Sequence, residues 1–319
     1  MPSRRRTLQL VAALGASALA RPTLSQQAEV LRFASAGPGS AFLPYARGLT
    51  PVLAAAGPFT VEVQETKGSI ENLGLIEGSS RTIGTVFLGS AYEAANGSGF
   101  AAGRRHGKVR ALFPMYETSF QAAALTAVPL RAARDLDGKR VGVGPANGPA
   151  EAYFVALAEL IGIKPIIVNG TPADLAAQLA RAEIDALWQG AVVPIPSLVD
   201  AGAKAPVTVF GLSDGEVAAM RQRYPFMAEA VLAPGTYKGQ EGAIKSVAAW
   251  NFVLANADLT DGTAYALTKA VLEVPDLATR LGPPGRGTSA IQARTNTVVP
   301  FHPGAVRYYR ERGIQVFEG

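Results

Sequence analysis

Short apolar runs alternate with helical stretches along the first third of the chain. Residues 30–34, the alternating run 59–65 and the mostly apolar run 82–88 predict three strands. Helices are predicted over 40–53 and 70–77, each after a strand and a glycine-containing loop. Ser40 is a suitable N-cap for the first helix, and Pro44 falls in its first turn, where a missing N–H is tolerated.

The same alternation returns in the middle of the chain. Strands are predicted over 140–143, 164–168 and 184–188, helices over 150–160 and 173–181, and two closing helices over 262–273 and 303–312. Strands that alternate with helices predict an α/β fold, with mixed and mainly parallel sheets flanked by helices.

Two stretches are too long to be ordinary strands of such a unit. Residues 109–128 and 246–255 are extended, and we interpret them as crossovers between two lobes. The loops at Ser35 and Gly144 occupy corresponding places in two similar βα patterns. We therefore expect a first lobe from residues 29–119 and 249–319, an inserted second lobe from 120–248, and a ligand cleft between them.

The N-terminal segment predicts export from the cytoplasm. An arginine run at 4–6 precedes an apolar run of Ala, Leu and Gly that closes on Ala18-Leu19-Ala20. A charged head, a short apolar run and small residues before a cleavage site are typical of a signal peptide, and the arginines are typical of the twin-arginine route. We assign residues 1–28 to this signal, with a periplasmic mature chain. The alternative, a membrane anchor, is disfavoured because spanning a bilayer takes about 20 apolar residues.

Composition excludes several classes of function. The 319 residues are 48% hydrophobic and 17% charged, which supports two buried cores. The net charge of +5 includes the three arginines at 4–6 of the predicted signal, and no broad basic stripe remains for nucleic acid. With no cysteine and two histidines, His106 and His302, the chain offers little material for a metal site or a catalytic triad. We expect no cofactor, and we expect His302 to order a turn between neighbouring residues.

Loops at the carboxyl ends of the predicted strands are candidates for ligand contact, because ligands of open α/β sheets bind there. Glycine-containing loops lead from strands into helix N-termini, which attract anions. Ser40, Ser69 and Asn147 add side-chain donors there, and Phe42 and Trp188 are either core residues or walls of the cleft. The alternative for each loop taken singly is a helix cap that binds nothing. The segment Gly142-Val143-Gly144 lacks the third glycine of a dinucleotide fingerprint, because Asn147 stands at that position.

Several of these segments resemble a known family of receptors. The resemblance is carried by segments quoted as they stand: Thr66-Lys67-Gly68-Ser69-Ile70-Glu71-Asn72-Leu73, Gly138-Lys139-Arg140-Val141 with Gly144-Pro145-Ala146-Asn147-Gly148, Pro234-Gly235-Thr236-Tyr237, and Phe301-His302-Pro303-Gly304-Ala305. Together they are similar to motifs of the solute receptors of tripartite ATP-independent periplasmic (TRAP) transporters, in the TAXI subfamily.

The resemblance implies a receptor with the two-lobed, type II periplasmic-binding-protein-like fold. Such a receptor closes on a small organic anion, a carboxylate or amino acid, and delivers it to an integral membrane permease driven by an ion gradient. It implies ligand-facing positions at Thr66, Ser69, Asn72, Asn147 and Gly148. We expect a non-catalytic monomer. Two alternatives stay open: the binding protein of an ATP-driven ABC importer, and an enzyme on the same scaffold.

The chain departs from the family pattern at the expected pocket. The first loop carries Pro38 and Phe42 where the family usually has a backbone donor and an aromatic hydroxyl, and the third strand ends in Phe87-Leu88-Gly89-Ser90 where a glutamine is common. These changes remove hydrogen-bonding groups. They predict a ligand that is less polar or bulkier than glutamate.

Overall fold

A computed structural model of the chain describes residues 29–37 and 40–319. The predicted export signal at 1–28 lies outside the described residues, as does Pro38 of the first loop. Across the described ranges, no helix combines the length and the apolar character needed to cross a membrane.

The strands join into one mixed sheet. Their bounds are β1 Glu29–Ala34, β2 Phe59–Gln64, β3 Thr82–Phe87, β4 Val109–Leu125, β5 Arg140–Gly142, β6 Ile166–Val168, β7 Ala186–Ala191, β8 Val207–Phe210, β9 Met227–Leu232 and β10 Ile244–Asn256. The sheet order is β2-β1-β3-β10-β4-β7-β5-β6, with β8 beside β4 and β9 beside β10. β1 pairs in parallel with β2 and β3, and β5 pairs in parallel with β6 and β7.

The helices cover this sheet and connect its parallel strands. Their bounds are α1 Phe42–Ala54, α2 Ser69–Gly78, α3 Leu88–Asn96, α4 Pro149–Ile161, α5 Pro172–Ala180, α6 Pro196–Lys204, α7 Asp214–Arg223, α8 Asp261–Glu273, α9 Leu277–Leu281 and α10 Pro303–Arg310. Right-handed crossovers through helices are the usual way to join parallel strands. The predicted α/β class is confirmed.

The two long strands run through the whole molecule side by side. β4 and β10 are antiparallel from the pair Ser119–Ala248 to the pair Val109–Asn256. Beyond that stretch β4 continues into β7 and β8, while the start of β10 pairs with β9. The sheet is therefore divided between a first lobe around β1–β3 and a second lobe around β5–β9. The predicted boundaries at 119 and 249 fall inside these strands and stay a prediction.

Each predicted element is present, with ends shifted by a few residues. The strand predicted over 82–88 ends at Phe87, because α3 begins directly at Leu88 without a loop. The first helix begins at Phe42, and its N-cap is Ala41 instead of Ser40. Sequence patterns did not predict α3, α6, α7, β8 or β9, most of which are short or carry mixed polar and apolar residues.

The main hydrophobic core is continuous between the lobes. It joins Phe33 and Phe252 of the first lobe to Phe120, Phe154 and Trp188 of the second, all at most 1% exposed. A smaller core around Leu175 and Leu198 lies under α5 and α6. The apolar surface buried along β4 and β10 is shared, so movement of one lobe relative to the other has to occur where that packing ends.

His302 orders the turn before α10, as the sequence predicted. Its Nδ1 accepts the backbone N–H of Gly304 at 3.2 Å, and the side chain is fully buried at the N-cap position. Nδ1 therefore carries no proton. Burial lowers the pKa of His302 below 6.5, although the carboxylate of Asp261, 3.7 Å from Nδ1, opposes the change.

This geometry predicts a loss of stability in mild acid. The unfolded chain binds a proton at His302 near pH 6.5, whereas the folded chain resists it, so the free energy of unfolding falls as the pH drops below that value and levels off below the folded pKa. His302→Asn keeps a side-chain acceptor at the N-cap but cannot titrate. Urea unfolding at pH 7.5 and 5.0 should show a smaller loss for His302→Asn than for wild type. An equal loss in wild type and His302→Asn would contradict the assignment.

Candidate functional site

A network of buried hydrogen bonds ties together the carboxyl ends of β1, β2 and β3. The carbonyl of Ser35, just after β1, accepts the side-chain amide of Asn72 at 2.6 Å and the hydroxyl of Thr66 at 2.9 Å. The same amide of Asn72 donates to the carbonyl of Thr85 in β3 at 2.8 Å. Asn72 is fully buried, so these bonds fix the relative positions of the three strand ends.

Thr66 and Asn72 hold this end of the lobe through contacts within the chain. The Thr66 hydroxyl also lies 2.7 Å from the Asn72 side-chain oxygen, and it accepts the N–H of Gly68 at 3.0 Å. Gly68 has a φ of 102°, a conformation open to glycine, and it leads directly into α2. Both predicted residues thus have their polar atoms engaged, and they position the start of α2.

Ser69 opens α2 and connects it to the end of β3. Its hydroxyl oxygen accepts the N–H of Phe87 at 3.0 Å, which leaves the hydroxyl proton for another acceptor. Ser40 and Phe42 lie at the start of α1, where the Ser40 hydroxyl accepts the Phe42 N–H at 3.2 Å. The Phe42 ring is half-buried, and its centroid lies 6.3 Å from that of Tyr116.

Asn147 and Gly148 form the corresponding turn before α4 in the second lobe. Asn147 is exposed with a φ of 60°, and Gly148 is the N-cap of α4 and donates its N–H to the carbonyl of Pro145. The carboxylate of Glu151 accepts the N–H of Asn147. An acidic side chain of the protein itself therefore stands at this helix N-terminus, where it competes with an anionic ligand.

Trp188 belongs to the core of the second lobe. The side chain is fully buried, stacks on Phe120 with ring centroids 6.0 Å apart and packs on Phe154 at 5.6 Å. Within the described residues its indole N–H is buried without a hydrogen-bond acceptor. Of the two alternatives for Trp188, the structure shows the core position.

The predicted residues fall into separate groups. Thr66, Ser69 and Asn72 share one hydrogen-bonded corner of the first lobe. Over 29–37 and 40–319, no side-chain hydrogen bond links that corner to Asn147 or Gly148. Near the first group, Arg47 of α1 is paired with Glu65 at 2.7 Å on the surface. In this structure the two groups lie on opposite lobes without direct contact through hydrogen bonds.

A cluster of aromatic rings fills the junction of the lobes, and the sequence did not predict it. Phe87 and Tyr92 of the first lobe lie 6.3 Å and 5.4 Å from the ring of Phe226 in the second. Tyr153 of α4 lies 5.8 Å from Phe87 and 5.3 Å from Phe120. Phe87, Tyr153 and Phe226 are at most 5% exposed. The sequence shows only that several separate elements carry aromatic residues. It does not reveal which of the rings come into contact.

The middle of β4 carries a further polar residue that the sequence analysis missed. Glu117 faces Trp250 across the β4–β10 pair and is half-buried. Among the residues that the structure describes, its carboxylate has no hydrogen bond or ion pair. Burial raises the pKa of Glu117 above its usual value, because the charged form is poorly solvated there.

Two open surface cavities lie away from all of these residues. One, of about 570 Å³, lies between α1 and α8, and the other, of about 520 Å³, lies beside β8. Neither is lined by a predicted site residue. Over the described ranges, no group of three or more His, Asp or Glu side chains is arranged to hold a metal ion.

Comparison with known proteins identifies a family. The model of the NMT1-like family matches residues 33–313. That match contains the end of β1 and the whole of β2 to β10. It also contains both groups of predicted site residues.

Solved structures share the fold at low sequence identity. The periplasmic binding protein BugD superposes with a TM-score of 0.52 at 14% identity, covering 90% of this chain and 98% of its own. A TctC solute-binding protein from Polaromonas gives 0.53 at 11%, covering 91% and 99%. MatC from Rhodopseudomonas palustris, determined with bound malate, gives 0.51 at 16%, covering 82% and 90%. The predicted periplasmic-binding-protein-like fold is confirmed.

The Asn72 network predicts a specific loss of stability. Asn72→Ala removes the buried hydrogen bonds that the Asn72 amide donates to the carbonyls of Ser35 and Thr85. We therefore expect a loss of about 1–3 kcal/mol in the free energy of unfolding. Urea unfolding measures it. Asn96→Ala is the control, because the exposed Asn96 amide makes one bond to the carbonyl of Tyr92. Equal effects of the two substitutions would contradict the role given to Asn72.

Proposed function

The chain belongs to the NMT1-like family, and from this premise we propose that it is an exported, non-catalytic solute receptor that captures a small organic anion between its lobes. The fold shared with periplasmic solute-binding proteins supports the proposal. The twin-arginine segment at the start of the chain supports work in the periplasm.

The observation that carries the proposal is the placement of helix N-termini in both lobes. α2 begins at Ser69, directly after the strand ends that Asn72 holds together, and α4 begins at Pro149 after the carboxyl end of β5. Each is entered through glycine, and each N-terminus carries a partial positive charge. Anionic groups of a ligand are attracted to such positions at the carboxyl ends of parallel strands, and at α4 they compete with the carboxylate of Glu151.

Closure of the lobes supplies the mechanism. A ligand that contacts both lobes favours the closed state by the difference in its affinity for the two states. The continuous pair of β4 and β10 allows the lobes to move while they stay joined. We propose that the closed receptor then delivers its ligand to the membrane subunits of a TRAP permease of the TAXI type, as the sequence motifs suggest.

Different roles follow for the predicted residues. Ser69 keeps a free hydroxyl proton at the start of α2, and Asn147 is exposed at the turn before α4, so we assign direct ligand contacts to both. Thr66 and Asn72 have their polar atoms engaged within the first lobe, so we assign them positioning roles. Gly148 provides the N-cap of α4 without a side chain that would obstruct a ligand.

The proposal predicts binding of organic acids and compaction on binding. Titration calorimetry with a panel of carboxylates and amino acids, together with X-ray scattering, should detect heat and a smaller radius of gyration with at least one ligand. Ser69→Ala and Asn147→Ala should each weaken binding by about 1–3 kcal/mol, because each removes a side-chain contact to the ligand.

Ser79→Ala is the matched control for these variants. Ser79 lies at the opposite end of α2, where its hydroxyl accepts the N–H of Arg81, and the substitution should leave affinity unchanged. A folded wild-type protein that shows neither heat nor compaction across the panel would contradict the proposed function.

A further inference from the structure

The start of α3 is covered by a side chain from the opposite lobe. A Cβ atom added at Gly89, the second residue of α3, would overlap the hydroxyl of Tyr153 and would lie 3.0 Å from the ring of Phe226. Tyr153 is on α4 in the second lobe, whereas α3 follows β3 in the first. The Tyr153 hydroxyl therefore lies against the first turn of α3, and the absence of a side chain at Gly89 is what lets it approach.

This hydroxyl has no partner in the structure. Tyr153 is 5% exposed, and within residues 29–37 and 40–319 its hydroxyl makes no hydrogen bond. Burial is the largest cause that raises the pKa of Tyr153 well above 10, and the nearby Glu93 and Tyr224 add to it. The group is therefore a neutral O–H donor at every physiological pH, and its proton is free to be donated to a ligand.

The first turn of α3 presents further donors at the same place. The initial N–H groups of an α-helix have no acceptor within the helix, and in the described part of the chain no side chain caps α3. The uncapped N–H groups of Gly89 and Ser90 belong to the same first turn of α3 that the Tyr153 hydroxyl packs against. The Tyr153 hydroxyl and the first N–H groups of α3 are all hydrogen-bond donors, so a ligand group that binds them must be an acceptor. The partial positive charge of the helix N-terminus favours an acceptor that is negatively charged.

The apolar surroundings restrict what else the ligand carries. The rings of Phe87, Tyr92 and Phe226 pack around Tyr153 and the start of α3. Arg223, whose guanidinium lies 5.8 Å from the Tyr224 ring centroid, is paired with Glu159 at 3.4 Å. Glu93, one turn further along α3, accepts a backbone hydrogen bond from Phe100. A second negative charge on the ligand would meet rings and a carboxyl group here.

We propose that the N-terminus of α3 and the Tyr153 hydroxyl form the carboxylate subsite of a ligand with one carboxylate and an aromatic or branched apolar body. The inference rests on the proposed receptor function and deepens it. The carboxylate accepts from the N–H groups of Gly89 and Ser90 and from Tyr153, and the apolar body packs against the rings of Phe87 and Phe226. The subsite takes contacts from both lobes, so its occupation favours the closed state directly.

The test compares Tyr153→Phe with wild type. The substitution deletes the hydroxyl, keeps the ring and breaks no hydrogen bond, so the protein should fold with an unchanged melting temperature. Calorimetry with phenylacetate, isovalerate and malate as probes should show that wild type prefers the two monocarboxylates. Tyr153→Phe should lose tenfold or more in affinity for phenylacetate. Gly89→Ala, which places a methyl group in the subsite, should show a similar loss.

Tyr265→Phe is the matched control, because the Tyr265 hydroxyl bonds to Glu311 on the surface of the first lobe, and its affinity should equal that of wild type. Unchanged phenylacetate binding in folded Tyr153→Phe would overturn the subsite while leaving the receptor function intact. Stronger binding of malate than of either monocarboxylate would overturn the ligand class. Failure of wild type to bind any organic acid would overturn the receptor function, and the subsite with it.

Discussion

The antiparallel pairing of β4 with β10 is the constraint on which the rest of this structure depends. The two strands share backbone hydrogen bonds from Ser119 to Val109, and then each continues into the second lobe with other partners. Their side chains are almost all buried on both faces of the sheet, so slippage of the register would move each side chain to the opposite core face and disrupt the packing on both. The end of β3 and the start of α3 thereby lie against Tyr153 of α4.

Polar groups at this junction divide into those that hold the backbone and those that lack partners. Asn72 and Thr66 satisfy one another and the carbonyl of Ser35, so they stabilise the corner of the first lobe. The Tyr153 hydroxyl lies against the first turn of α3 and makes no hydrogen bond within the described residues. A residue type that looks suitable for binding is therefore weak evidence alone; what separates the two roles is whether the fold already supplies its partners.

Sequence reasoning predicted the sheet better than the junction. Periodicity and turn residues locate β1, β2 and the crossover strands, because hydrophobic pattern and glycine placement act locally. α3 was missed since no turn residue separates Phe87 from Leu88, and the apolar run continues through the change from strand to helix. The contact between Tyr153 and Gly89 depends on tertiary packing of elements 64 positions apart, which no local pattern encodes. The sequence allowed Trp188 to be either a core residue or a wall of the cleft. Its packing on Phe120 and Phe154 places it in the core.

The aromatic cluster also accounts for the apolar residue at the end of the third strand. A polar side chain at Phe87 would lose hydrogen bonds to water among rings that are at most 5% exposed, whereas the phenyl ring adds apolar contact between the lobes. Those contacts already hold the lobes together without a ligand. In the proposed receptor, a ligand that enters between the lobes must make apolar contacts in place of the ring contacts that it displaces. A small polar acid has no apolar surface with which to make them. In the proposed receptor, the rings that fill the junction therefore favour a ligand with an apolar body.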